Sequence, residues 1–121
     1  MAQSHRIVID QGADYRLPLR WWTDSTKTQL RDLTGYTARM QARRRHSDAD
    51  TTLSITEPVN IVLGDGTGAE NVTVVLTAAQ TAALPAPFRG VYDLELVDTG
   101  GTGEVTRLIE GEFVVNPEVT R

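Results

Sequence analysis

The segment Asp32-Leu33-Thr34-Gly35-Tyr36-Thr37-Ala38-Arg39-Met40-Gln41-Ala42-Arg43-Arg44-Arg45 opens like a turn, runs on like a strand and ends in three arginines. Asp32 suits side-chain-to-backbone bonding and Gly35 suits a positive φ, so the turn comes first. From Tyr36 onward, Tyr36, Ala38, Met40 and Ala42 alternate with Thr37, Arg39, Gln41 and Arg43. A period of two sends the first set to one face of a strand and the second to water. The same period recurs upstream in Tyr15-Arg16-Leu17-Pro18-Leu19-Arg20-Trp21, which directs Tyr15, Leu17, Leu19 and Trp21 to one face. Pro18 has no N–H for a ladder, so this strand belongs at a sheet edge or turns that position away from its neighbour. Trp22 breaks the alternation and is a candidate exposed aromatic.

Downstream, residues 53–55, 59–63 and 72–76 read as further strands, separated by Glu57-Pro58 and by Gly64-Asp65-Gly66-Thr67-Gly68. Thr77-Ala78-Ala79-Gln80 has the form of a capping box, which predicts one short helix continuing through Leu84 and stopped by Pro85. Residues 91–97 and 105–115 flank the glycine-rich stretch 98–103 as a hairpin. Tyr92, Leu94 and Leu96 share one face there, and Asp93 and Glu95 the other. The adjacent Leu108 and Ile109 interrupt the pattern of the last strand, which predicts a bulge near Gly111. Roughly seven to eight short strands with turn signals between them, plus one short helix, predict an all-β antiparallel sandwich of two sheets. Its expected core is Tyr15, Leu17, Leu19, Trp21, Tyr36, Met40, Tyr92, Leu94, Leu96, Phe113 and Val115.

Composition agrees with one domain over residues 1–121, since 40% of the residues are apolar and a chain of this size buries roughly two thirds of its surface. The formal charge of -4 gives no long-range attraction to phosphate, which argues against a nucleic-acid partner. Without cysteine there is no disulfide and no thiolate chemistry. The opening MAQSHRIVID lacks the apolar core of about 7 to 15 residues that a signal peptide carries. No apolar run approaches the roughly 18 residues of a membrane span, so the expectation is a chain made in a cytoplasm, with no membrane partner.

The ordered set Ile7-Val8-Ile9-Asp10-Gln11-Gly12-Ala13-Asp14-Tyr15, Leu17 to Trp22, Asp32 to Arg43, Leu76-Thr77-Ala78-Ala79-Gln80-Thr81 and Tyr92-Asp93-Leu94-Glu95-Leu96 resembles the immunoglobulin-like domain of tailed-bacteriophage virion proteins. Within that group it is similar to the N-terminal domain of the baseplate upper protein family, which anchors receptor-binding appendages to a tail. The resemblance implies an immunoglobulin-like sandwich that serves as a structural virion protein, with other phage structural proteins as partners in a multi-copy symmetric assembly and with no cofactor. Family members often continue into a fibrous or helical region, whereas this sequence stops at Asn116-Pro117-Glu118-Val119-Thr120-Arg121. The implied role is therefore a small adaptor or decoration protein on tail, baseplate, collar or capsid.

Chemical motifs are sparse. His46, Asp48 and Asp50 alternate and would share one side of an extended segment, as ligands of a hard cation do, but a solvated hairpin tip explains them better and no metal is expected. The glycine loops precede strands, whereas a phosphate cradle needs a helix N-terminus. Asn71-Val72-Thr73 has the form of a glycosylation acceptor, yet reads most simply as a strand start. Ser25, Ser47 and Ser54 lack the surroundings of a nucleophile, so no enzyme is expected. Glu95, Glu110 and Glu112 read as solvent-face residues opposite arginines such as Arg39 and Arg43. Arg43, Arg44 and Arg45 point alternately to opposite sides and lack interleaved aromatics, which argues against a phosphate grip and leaves a protein-docking sheet edge, the favoured reading, beside a plain solvated strand end that explains them about as well. Trp22 is the second candidate interface residue. The rival expectation is a carbohydrate-binding module with Trp22 as platform, flanked by Arg20 and Asp24. A generic immunoglobulin-like cell-surface domain is disfavoured by the missing signal sequence.

Overall fold

The alternating segments become strands of two sheets packed face to face. A computed structural model describes residues 2–120; Met1 and Arg121, the two ends of the expected domain, lie outside the described residues. Among the described residues there are nine strands and one helix: β1 (Gln3–Ser4), β2 (Ile7–Asp10), β3 (Tyr15–Leu19), β4 (Tyr36–Arg43), β5 (Leu53–Thr56), β6 (Ile61–Leu63), β7 (Val72–Leu76), α1 (Ala78–Ala82), β8 (Phe88–Asp98) and β9 (Val105–Asn116). The larger sheet has the order β1-β9-β8-β4-β5 with β2 also paired to β9, and the smaller has the order β3-β7-β6. A sheet of β5-β4-β8-β9 facing one of β3-β7-β6 is the immunoglobulin-like sandwich that the sequence predicts.

Two details depart from the expectation of roughly seven to eight antiparallel strands. The amino-terminal segment contributes both β1 and β2, and these run parallel to β9, while the other pairings are antiparallel. Strands of two and four residues are too short to display a period. They are separated where the His5 backbone passes over Gly111, with His5 N–H donating to Glu110 O at 2.9 Å. A Cβ on Gly111 would lie 2.4 Å from His5 O, so only glycine permits this approach. The bulge itself is at Leu108, three residues before the predicted position: Leu94 faces Ile109 and Glu95 faces Arg107, leaving Leu108 without an opposite number. Gly111 stays in register opposite Tyr92.

The local signals are otherwise realised as expected. Asp32 accepts from Thr34 N–H at 2.9 Å and its hydroxyl at 2.7 Å, and Gly35 has φ +87°. Thr77 and Gln80 form a reciprocal capping box, although α1 ends at Ala82 with Ala83 as its cap rather than running to Leu84. Pro18 lies in β3, an edge strand of the smaller sheet. Strand β6 begins only at Ile61, because Val59 projects into solvent in the preceding turn.

Of the expected core, Met40, Tyr92, Leu94, Leu96, Phe113 and Val115 are buried. Tyr15, Leu17, Leu19, Trp21 and Tyr36 are half-buried and form its rim: the first three lie on β3, an edge strand with no neighbour on its outer side among the described residues, Trp21 follows that strand and Tyr36 opens β4. Ile7 and Ile9 of β2 and Phe88 at the start of β8 complete the interior. Phe113 stands at its centre, edge-on to Phe88 at 6.3 Å and to Tyr92 at 6.4 Å. The Tyr92 hydroxyl donates to His5 O at 2.6 Å, and burial, with Tyr15 nearby, pushes its pKa well above the usual phenol value. No helix among the described residues is long and apolar enough to cross a membrane.

Candidate docking surface

The connection from β3 to β4 carries the first candidate. Trp22 bridges to Leu30 in antiparallel fashion, Thr23 N–H donates to Gln29 O at 2.9 Å, and Arg31 N–H donates to Trp21 O at 2.9 Å. The tip of this finger is closed by Asp24, which accepts from Thr26 N–H at 3.2 Å and from its hydroxyl at 2.7 Å. Its base is held by Asn71, which is 1% exposed. The Asn71 amide accepts from Trp21 N–H at 2.8 Å and donates to Trp21 O at 2.9 Å and to Arg31 O at 3.0 Å. With all of its bonds turned inward, this amide is a structural clasp, in keeping with its place just before β7.

Trp21 packs edge-on to Tyr36 at 5.9 Å and lies under the Arg31 guanidinium at 4.5 Å. Trp22 is half-buried rather than fully exposed, and lines a groove of about 360 Å³ together with Arg20, Trp21, Asp24, Lys27 and Arg107. The floor is the stretch of β9 around Thr106 and Leu108, with Gln3 of β1 at its end, where the pairing of β1 to β9 begins opposite Ile109.

The arginines occupy the other end of the molecule. Trp21 touches Tyr36 at the start of β4, and Arg43 ends that strand; at roughly 3.3 Å per residue the two ends lie about 23 Å apart. One patch containing Trp22, Arg43, Arg44 and Arg45 therefore does not form. Nor do the arginines mark a sheet edge, because β4 lies between β8 and β5. Arg43 is half-buried and holds the following loop in place, donating to Asp48 O at 3.0 Å, Ala49 O at 2.7 Å and the Gln41 side chain at 2.8 Å. Arg44 turns to the opposite side, with its guanidinium 4.9 Å from the Phe88 ring. Arg45 is exposed.

The outer face of the larger sheet is laced with charge. Arg39 pairs with Glu95 at 2.9 Å, and Arg107 reaches both Glu110 at 3.0 Å and Asp93 at 3.4 Å. Glu112 sits between Arg6 at 2.7 Å and Arg89 at 3.5 Å. The three glutamates thus face arginines as expected, but Arg43 is not among their partners. Burial raises the Asp93 pKa, with Glu95 and Glu110 adding to the rise and Arg107 and His46 opposing it. Among the described residues no group of three or more His, Asp or Glu side chains is placed to hold a metal ion, so His46, Asp48 and Asp50 do not converge.

The outer face of the smaller sheet is different in kind. Arg16, Pro18, Val62, Thr73 and Val75 point outward there, alternating with the buried Ile61, Val72, Val74 and Leu76. Its centre is apolar, an ion pair at the rim joins Arg16 to Glu70, and a shallow concavity of about 330 Å³ lies beside them. Val62 is 51% exposed and Val59, just before the strand, 77%. A period-two count finds such a face only when the strand's partners are known, because a three-residue strand carries no alternation of its own.

Comparison of the sequence with protein-family models gave no match, and comparison with curated proteins gave none either. Similar solved structures include the extracellular domain of the voltage-gated sodium channel beta4 subunit, whose parallel homodimers are described as explaining its role in cell–cell adhesion. It has a TM-score of 0.48 and 10% identity over 98% of this chain and 96% of that one. Tim-1 is similar with a TM-score of 0.47 and 13% identity over 100% of this chain and 99% of its own. A structure from work on multimeric cell-adhesive interactions of VGSC beta subunits has a TM-score of 0.43 and 10% identity, over 95% of this chain and 92% of that chain. At these identities none of them assigns a role to any residue.

Proposed function

We propose that this chain is a structural, protein-binding component of a tailed-phage virion, a small adaptor or decoration protein that docks onto tail, baseplate, collar or capsid proteins. It performs no reaction and uses no cofactor. The phage setting rests on the ordered sequence resemblance from Ile7 to Leu96. Docking is carried by one observation: Trp22 and Trp21 line a groove beside a stretch of β9 that pairs with β8 on one edge and, before Ile109, with no strand among the described residues on the other. A half-buried tryptophan beside an open strand edge is the kind of feature that anchors a partner. The alternative, a carbohydrate-binding module contacting the host surface, is favoured by the convergence of Arg20, Trp22 and Asp24 in that same groove.

Complementing a deletion with Trp22→Ala tests both. Docking predicts a folded variant that is depleted from purified virions, and normal copy number would remove Trp22 from the interface. Normal incorporation with lost adsorption to host cells would favour the carbohydrate reading. Arg45→Glu extends the test to an exposed member of the arginine run, whereas Arg43 is unsuitable because its side chain holds the loop after β4.

A further inference from the structure

The apolar outer face of the smaller sheet is not needed by the groove at Trp22 and calls for its own explanation. Pro18 and Val75, with the buried Thr73 between them, form a strip across β3 and β7, and Val62, 51% exposed, extends it onto β6. Solvent faces of sheets normally carry polar residues, as the larger sheet of this molecule does. Apolar patches rimmed by polar residues mark contact surfaces.

Charge indicates what fits there. The chain carries a formal charge of -4, so two copies repel one another over most of their surfaces. On this face the charged residues lining the concavity are Arg16 and Glu70, one of each sign. A face that is neutral overall and holds one positive and one negative group beside an apolar strip is self-complementary under a two-fold rotation. Arg16 of one copy then meets Glu70 of the other, and the reverse contact forms at the same time.

We infer that the outer face of β3-β7-β6 binds a second copy of this chain, with Val62 and Val75 at the centre of the contact and Arg16 and Glu70 exchanging partners across it. This would supply a contact for the multi-copy assembly that the sequence resemblance implies, but it does not depend on the phage setting. The contact is small, and it suits a protein whose copies are held at high local concentration by a larger scaffold.

The test uses the whole chain and its charge-reversed variants Arg16→Glu and Glu70→Arg in analytical ultracentrifugation, with melting curves to confirm folding. Wild type should self-associate at concentrations up to about 1 mM. Each reversed variant alone should lose that association, since its copies bring like charges together. An equimolar mixture of the two should recover it, because the Arg16→Glu chain presents two carboxylates on this face and the Glu70→Arg chain presents two guanidinium groups. Val62→Asp should weaken wild-type association by roughly tenfold or more while leaving the fold intact. Monomeric wild type at that concentration, association of the single variants at wild-type strength, or failure of the folded variants to complement each other would overturn the inference. None of these outcomes bears on the Trp22→Ala incorporation test, so the two proposals fail separately.

Discussion

The two outer faces of the sandwich are built from the same strand period yet finished differently. The larger sheet puts Arg39, Asp93, Glu95, Arg107 and Glu110 into solvent and links them in pairs. The smaller sheet presents the exposed Val62 and the half-buried Pro18 and Val75 there, with Thr73 buried between them. Both faces cover the same interior, so folding alone does not require the difference. Charges that pair within one face leave little reason for another protein to bind there, since each pair must be opened or desolvated first. The apolar face carries a single such pair, Arg16 with Glu70, which exchanges partners in the contact rather than being left unpaired, and its apolar part gains by being covered.

The contrast holds only if both faces enclose one shared core, and the largest expected effect tests that. Leu94 is 0% exposed beneath the charged face. Truncating it to alanine should cost ~2 to 5 kcal/mol in denaturant melts. A loss below ~0.5 kcal/mol would mean that the inward and outward sets have been confused. Next in size, Asn71→Ala removes the amide that binds Trp21 and Arg31, leaving buried backbone groups unpaired at a cost of about 1–3 kcal/mol. Indole fluorescence of the finger that carries Trp22 should change with it, and an unaltered spectrum and melt would show that the clasp is redundant.

Much of this was legible in the sequence, for reasons the individual residues make plain. Tyr36 to Arg43 and Tyr92 to Leu96 span enough of a strand for the alternation to be unambiguous, and Asp32, Gly35, Thr77 and Gln80 act through local bonds. The rest depends on contacts between distant segments. The pairing of β1 and β2 with β9 joins the two ends of the sequence, and Gly111 is glycine because of His5, not because of a bulge. Arg43 reads as an interface residue until its bonds to Asp48 and Ala49 are seen. Asn71, read as a strand start, is also the clasp of a remote loop, a role that nothing in its neighbours announces.

Smaller effects sharpen the contrast between the faces. Removing an exposed ion pair from the larger sheet, as in Arg39→Ala, should cost no more than about 1 kcal/mol, and the loss should shrink in high salt. A larger loss would make the charged face structurally indispensable. The smallest expected effect concerns pH. Because the fold raises the pKa of Asp93 above 3.8, it favours the protonated form; the resulting stability is full below that value and is lost as pH rises through the raised one. Asp93→Asn, which cannot ionise, should therefore gain on wild type at neutral pH relative to acid. Parallel melts of the two proteins across that range check the sign, and an advantage confined to acid would reverse it.

The central claim is that the bare face of the smaller sheet, and not the charged face of the larger one, is where copies of this chain meet. Amide chemical shifts followed by NMR on dilution test it most directly. The account predicts concentration-dependent shifts at Val62, Thr73 and Val75, with Arg39, Asp93 and Glu95 unmoved. Shifts confined to the charged face, or none on either, would contradict it.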